Sequence, residues 1–389
     1  MRVLISGAGL AGPTLAYWLD SFGFETTIVE KAPRLRTGGY VIDFWGAGYE
    51  VAAKMKLLEK ITREGYSVKR VIVVDRTGKQ VAGFPAAAFA RATHGRYVSL
   101  RRGDLAALIF AQIEGRVETI FGDSISTIVE HSHGLQVTFA SGVQREFDLV
   151  VGADGLHSRV RELVFGPESR FEKFLGYKAA AFGIDGYRPR DELTYVMYTE
   201  VGQQVARFSM RGDRTMFLFT FADSNLDNGD IRTQKELLRR RFAGSGWECP
   251  SILNALDRTD DIYFDRVSQI RMDVWSRGRV ALVGDAAYCV SLLAGQGSAL
   301  GIAGAYILAG ELHRAAGDYS AAFARYQAIC QPLIQAKQQA ALRFAGAFAP
   351  KSKFRLWLRN RILNLLRVEW IADLTVGRDL EDSISLPDY

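Results

Sequence analysis

The opening stretch "RVLISGAGLAGPTLAYWLDSFGFETTIVE", residues 2–30, limits the fold more than any other part of the chain. Residues 2–6 are short, β-branched and apolar, as a buried strand requires. Gly7, Gly9 and Gly12 follow as G-x-G-x-x-G and open an amphipathic helix expected to reach about Ser21. A second strand over residues 26–29 ends in Glu30. This spacing predicts Gly7 in a tight turn, Gly9 where the backbone approaches a pyrophosphate, and Gly12 where helix and strand pack closely. The unpaired N–H groups at the helix start then face the phosphates. Glu30 stands where a carboxylate accepts hydrogen bonds from a ribose and repels a 2′-phosphate. The stretch points to an α/β fold that binds an adenosine dinucleotide. It does not distinguish FAD from NAD, and a glycine-rich turn of this kind also occurs as a purely structural feature.

Residues 286–310, "AAYCVSLLAGQGSALGIAGAYILAG", contain no charged side chain and are long enough to cross a bilayer as a helix. A membrane span would have to accept Asp285 at its edge, together with Gln296, two serines and glycines 295, 297, 301, 304 and 310. Each glycine costs a helix nearly 1 kcal/mol relative to alanine. The alternative is a buried strand over 280–283, a turn at Gly284-Asp285, a loop across a bound ligand, and a helix starting near Gly297. Small residues then allow close backbone approach, and the helix N-terminus solvates negative charge on the ligand. No transmembrane segment is expected.

With 389 residues the chain suffices for two domains, or for one domain with an insertion. Its 48% apolar content is that of an ordinary globular protein. Cys249, Cys289 and Cys330 are odd in number and far apart, which favours a reducing compartment. With too short an apolar run at the N-terminus for a signal peptide, the expected location is cytoplasmic. The five histidines form no H-E-x-x-H, and C-x-x-C, G-x-S-x-G and the phosphate-loop pattern are all missing. Metal, serine-hydrolase and kinase chemistry are disfavoured.

Two further motifs follow: "LVVGADGLHSRVRELV", with Asp154, Gly155, Ser158 and Arg161 in D-G-x-x-S-x-x-R spacing, and "LRRGDLAALI", with Arg102 ahead of a helix. Together with "GAGLAG" and the "GDAA…GQG" run they resemble the class A flavin monooxygenases, the para-hydroxybenzoate hydroxylase group. "GDAAYC", "AYILAGEL" and "AGPTLAYWLDSFGF" are most similar to the tetracycline-inactivating branch. The resemblance implies FAD as the bound cofactor. Gly7, Gly9, Ala11, Gly12 and Glu30 would hold the ADP half, and Lys31, Arg36, Gly39 and Arg102 would lie along the adenosine and pyrophosphate. Asp285 would meet the ribityl or pyrophosphate region, and the backbone of Ala294, Gly295 and Gly297 the isoalloxazine edge. Asp154 and Gly155 would serve both FAD and a transient nicotinamide cofactor; a self-capped helix start with Arg161 packed over it is the alternative reading of these residues. The family usually has His, Pro and Asn where this chain has Tyr288, Leu292 and Ala299.

The expected architecture is a Rossmann-like FAD-binding domain, formed by residues 1–70, 98–171 and 266–340. An inserted antiparallel-sheet substrate domain takes 71–97 and 172–265, and a C-terminal helical segment takes 341–389. Aromatic residues Tyr195, Tyr198, Phe208, Phe217, Phe219 and Phe221 read mostly as core. Segment 351–367 has six basic residues and no acidic one, with Phe354, Leu358, Ile362 and Leu365 at helical spacing. A helix packed on the substrate layer is the leading reading, ahead of a helix at the pocket mouth and of attachment to acidic lipid; peripheral membrane contact is not expected. The helix after residue 315 is expected to be interrupted at Pro332.

The resemblance implies an FAD-dependent monooxygenase that consumes NADPH or NADH and O2. It would hydroxylate a bulky polycyclic or phenolic compound through a C4a-hydroperoxyflavin, with tetracycline-type antibiotics as candidates. The alternatives are a flavin oxidase or dehydrogenase without oxygen transfer, a hydroxylase of another aromatic polyketide, and a flavin-containing binding protein. No nucleic-acid partner is expected, and no catalytic side chain is assigned.

Overall fold

In the computed structural model, which describes residues 1–36, 38–366 and 386–389, strand Arg2–Ser6 runs through a six-stranded sheet. Its neighbours are Leu149–Gly152 on one side and Glu25–Glu30 on the other, both parallel to it. Val280–Leu282 and Glu118–Phe121 extend the parallel set, and the short strand Ser276–Arg277 closes one edge antiparallel. A parallel sheet is covered on both faces, so its inner strands cannot alternate apolar with polar. Val3, Leu4, Ile5, Leu149, Val150, Val151, Ala281 and Leu282 are accordingly all inaccessible.

Helix Ala11–Ser21 packs on helix Gly297–Arg314, which starts where the sequence predicts. Residues 299–312 of that second helix are buried throughout. The missing charge of 286–310 therefore reflects burial within protein. Among the described residues no helix is long and apolar enough to cross a membrane. Helix Tyr319–Phe348 is continuous, with Pro332 inside it, so the expected interruption does not occur. Proline removes one main-chain hydrogen bond, and tertiary packing holds the thirty residues helical: Ala322, Phe323, Tyr326, Cys330, Leu333 and Ile334 all enter the main core.

A second, seven-stranded sheet is ordered Ile262–Ile270, Glu172–Asp185, Arg214–Ala222, Gln203–Ser209, Thr194–Glu200, Arg70–Val74 and Gln80–Pro85. It is antiparallel except where Thr194–Glu200 meets Arg70–Val74. Helices Ile231–Phe242 and Cys249–Ala255 cover one face, where Phe182, Phe217, Phe219 and Phe221 form a buried cluster. Phe208, Met210 and Met216 cluster on the other face with Tyr66, and Tyr195 and Tyr263 pack there partly buried. A two-stranded ladder, Val41–Trp45 against Tyr97–Arg101, pairs Asp43 with Ser99 and Trp45 with Tyr97.

Helix Lys353–Leu365 lies along the edge strand Gln80–Pro85. Its position on this layer is the expected one, and its most apolar side faces away from it. Leu356, Arg359, Asn360, Leu363 and Asn364 are partly covered, whereas Phe354, Leu358, Ile362 and Leu365 point outward. Asn364 Nδ2 donates to Val81 O at 3.2 Å, and an Arg359 guanidinium nitrogen donates to Thr199 Oγ1 at 3.2 Å. Arg367 and the rest of the expected C-terminal segment as far as residue 385 lie outside the described residues.

Candidate cofactor site

Gly7 closes the first turn at φ +107°, and Gly12 faces it so closely that a Cβ there would stand 1.9 Å from Gly7 O. Only glycine permits that approach, which seats the helix start directly behind the turn. A Cβ at Gly7 would come within 2.6 Å of Ala153 O, so the first turn also abuts the loop that carries Asp154. Glu30 ties the second strand to this turn: its carboxylate accepts from Ala8 N at 2.8 Å and from Ala32 N at 2.9 Å. Each carboxylate oxygen keeps a free acceptor position. Arg36 stands 3.6 Å from Glu30 on the exposed side, and Lys31 is exposed beside it.

Asp154 is occupied by its own helix. Its carboxylate accepts from Ser158 Oγ at 2.5 Å, Arg159 N at 2.8 Å and Val160 N at 3.1 Å, and Ser158 in turn caps Arg161 N. Burial pushes the Asp154 carboxyl up from the usual range, and these donors oppose the shift. Arg161 is fully buried and donates to Leu156 O, Ala286 O and Glu168. The side chains of this motif thus build the helix start, and what remains open is the backbone at Gly155, at φ +83° with nothing near its Cβ direction.

A second group gathers around Asp285. The Asp285 carboxylate lies 3.5 Å from the Cβ position of Gly297, at the first turn of the buried helix. Burial pushes its carboxyl up, while Arg102 and the Cys289 thiol draw it back. Arg102 begins helix Arg102–Phe110, and its guanidinium lies 3.5 Å from the Cβ position of Gly9. Gly39, at φ +121°, sits over the Arg102 side chain. Arg102 therefore links the two groups, as one cation between the glycine turn and the late aspartate. Ala11 joins them from below: the Cβ positions of Gly284 and Gly301 lie 3.3 Å and 3.6 Å from its methyl.

Several residues here carry no sequence signal. Tyr40 packs edge-on to Tyr263, and burial pushes its phenol up despite nearby Arg102. Asp43 accepts from Tyr97 Oη at 2.7 Å and Ser99 Oγ at 2.5 Å. Burial raises its carboxyl, with those two hydroxyls opposing. Trp45 stands beside both features: its ring lies 6.4 Å from Tyr97 and 3.7 Å from the Cβ position of Gly295. Its indole N–H is buried without a hydrogen-bond partner.

The three departures also find places. Tyr288 enters the core, 4.5 Å from the Trp275 ring and hydrogen-bonded to Tyr326 Oη at 3.3 Å. Ala299 meets Gly48 so tightly that a Cβ on the glycine would lie 2.4 Å from Ala299 Cα, leaving no space for a side chain at position 48. Leu292 begins the short turn Leu292–Ala294 and packs beside Tyr177 and Val267.

These residues fit an extended dinucleotide. Helices Ala11–Ser21 and Gly297–Arg314 both start without a side-chain cap from their N-cap residue, which leaves main-chain N–H groups for a ligand. A glycine cradle backs one of them and a buried acid stands beside the other. Among the described residues no cluster of His, Cys, Asp and Glu could hold a metal ion.

The family described as "FAD binding domain" matches residues 1–341. An uncharacterized protein of Mycobacterium tuberculosis is 40% identical over 340 residues, 86% of this chain and 91% of that protein. A flavin-dependent monooxygenase of Legionella longbeachae is 32% identical over 393 residues, 100% of this chain and 98% of that protein. The crystal structure of tetracycline destructase Tet(51) superposes with a TM-score of 0.84 at 32% identity, covering 100% of this chain and 99% of that one.

Proposed function

Because the chain belongs to the FAD-binding-domain family, as an FAD-dependent monooxygenase of the class A group, we propose that it uses NADPH or NADH and O2 to hydroxylate a bulky polycyclic or phenolic compound, with tetracycline-type antibiotics as the first candidates. The observation that carries this reading is the placing of two uncapped helix starts, at Ala11 and Gly297, with Arg102 beside the first and Asp285 beside the second, in a chain alike over its whole length to a tetracycline destructase. Residues 1–70, 98–171 and 266–340 form the cofactor-holding part, and 71–97 with 172–265 the layer that meets the substrate. One strand–glycine-turn–helix unit serves FAD, so the nicotinamide cofactor docks transiently. Three buried free cysteines suit the reducing cytoplasm.

FAD, when bound, supplies the redox and oxygen-activating chemistry. The first helix start binds its pyrophosphate, and Glu30 accepts from the adenosine ribose while holding the turn in place. Arg102 balances negative charge beside the phosphates, and Asp285 takes a hydroxyl of the sugar-alcohol chain. The backbone of 294–297, with the dipole of helix Gly297–Arg314 behind it, stabilises negative charge on the ring system. The buried surfaces of the seven-stranded sheet keep water from the reacting atoms.

The test is nicotinamide oxidation by the purified, FAD-loaded protein across tetracyclines, other aromatic polyketides and simple phenols, with hydrogen peroxide quantified. A true substrate accelerates oxidation and lowers the peroxide yield per turnover. Acceleration with all consumed oxygen recovered as peroxide would assign the protein to oxidase chemistry instead.

A further inference from the structure

Helix Lys353–Leu365 turns its most apolar side away from the protein. Phe354, Trp357, Leu358, Ile362 and Leu365 are 41–68% exposed. At 100° per residue they occupy one arc of roughly 140°. Single exposed apolar residues are ordinary, but five on one face of one helix form a continuous patch. Phe354 and Trp357 stack with centroids 6.1 Å apart, and Val81, 39% exposed, adjoins Trp357 and widens the patch.

The cations are placed around this patch. Lys353 flanks one edge and Arg355 the other, Lys351 precedes them, and Arg361 lies within the stripe, 5.4 Å from the Trp357 ring. Among the described residues no carboxylate pairs with any of these four. The helix is held from behind, by Asn364 on Val81 and Arg359 on Thr199, so the outward face is fixed in position. Aromatic and aliphatic side chains bordered by lysine and arginine, on a helix lying flat against its domain, match the boundary between lipid headgroups and acyl chains. Unpaired cations suit an anionic lipid in particular. The sequence alone ranks membrane contact behind packing on the substrate layer and behind the pocket mouth; the outward orientation of the stripe favours it.

We propose that helix Lys353–Leu365 docks this protein on an anionic lipid surface, with the Phe354–Trp357–Ile362 face entering the headgroup layer. The full-length, FAD-loaded protein is sedimented with extruded vesicles of phosphatidylcholine alone and of phosphatidylcholine containing roughly 30% phosphatidylglycerol. Partition into the anionic vesicles is expected to exceed that into the neutral ones at least about tenfold and to fall with added salt. The pairs Trp357→Ala with Ile362→Ala, and Arg355→Glu with Arg361→Glu, are each expected to lower it about tenfold or more. All four positions are exposed, and an unchanged melting temperature verifies that the variants are folded. Equal partition into both vesicles, no partition, or variants that bind like the parent would overturn the proposal. So would a concentration-dependent dimer abolished by the same substitutions, which would assign the face to a second copy of the chain.

Discussion

Asp285 ends the turn after strand Val280–Leu282 with Gly297, Arg102 and Cys289 around it. A carboxylate partly withdrawn from solvent is costly unless donors meet it, and a bound ligand adds one. Asp285→Ala should therefore weaken FAD binding by roughly ten- to hundredfold, equivalent to the loss of one hydrogen bond of about 1–3 kcal/mol. Flavin absorbance of the purified variant, followed by titration with FAD, measures this; a variant that keeps a full complement of flavin contradicts the assignment. Asp154, which the sequence motifs treat as an equal partner, differs physically. Its carboxylate already has three donors from its own helix, so its substitution acts first on stability. The motifs made both aspartates visible, but spacing alone does not say whether a carboxylate faces a ligand or its own backbone. Tyr40, Asp43 and Trp45 had no motif and became visible only once two short strands were paired.

Helices and strands transmit the close approaches made by single residues. Gly48 lies in helix Ala47–Lys54 against Ala299, in the first turn of the helix whose start forms half the site. Gly48→Ala has no space for its methyl, so it should shift helix Gly297–Arg314 and destabilise the fold by about 1–3 kcal/mol. Thermal melting with and without added FAD checks this: a lower melting temperature and weaker flavin retention are expected, and an unchanged value for both contradicts the contact. A different link joins helix Arg159–Phe165 to strand Ile262–Ile270. His157 bridges Asp265 and Glu168, while Arg161 and Arg266 share Glu168. Hydrogen bonding to Asp265, then to Glu168, pushes the His157 imidazolium up to about 10 from an ordinary value of 6.5. The folded state holds this proton more tightly, so the stabilisation is complete below about pH 6.5 and is lost as pH rises through about 10. Urea midpoints for the parent and for His157→Gln should differ most near about pH 6 and converge toward about pH 10; a gap that widens with pH contradicts the bridge. The sequence indicated helices Ala11–Ser21 and Gly297–Arg314 and the buried strands before their glycine turns, because these patterns are local. It did not indicate the orientation of helix Lys353–Leu365, because an apolar stripe at helical spacing does not say which side meets the protein.

Over the whole molecule, the site depends on contacts between distant parts of the chain. Residues near 7, 30, 102, 154 and 285 converge because strands Arg2–Ser6, Leu149–Gly152 and Val280–Leu282 lie side by side in one parallel sheet. That sheet was legible from three short buried runs, each followed by a glycine-rich turn, and their shared order is what the family likeness reflects. The seven-stranded sheet was legible as antiparallel strands but not as strands joined in parallel to the early hairpin, since no local pattern records that pairing. Substrate choice was not legible, because no local pattern records which distant side chains come together. The most direct measurement of the central claim is turnover of the accelerating compound under 18O2, with the product analysed by mass spectrometry. The account predicts one labelled oxygen atom per product molecule, present only with flavin and a reduced nicotinamide cofactor. An oxidised product without label would contradict it.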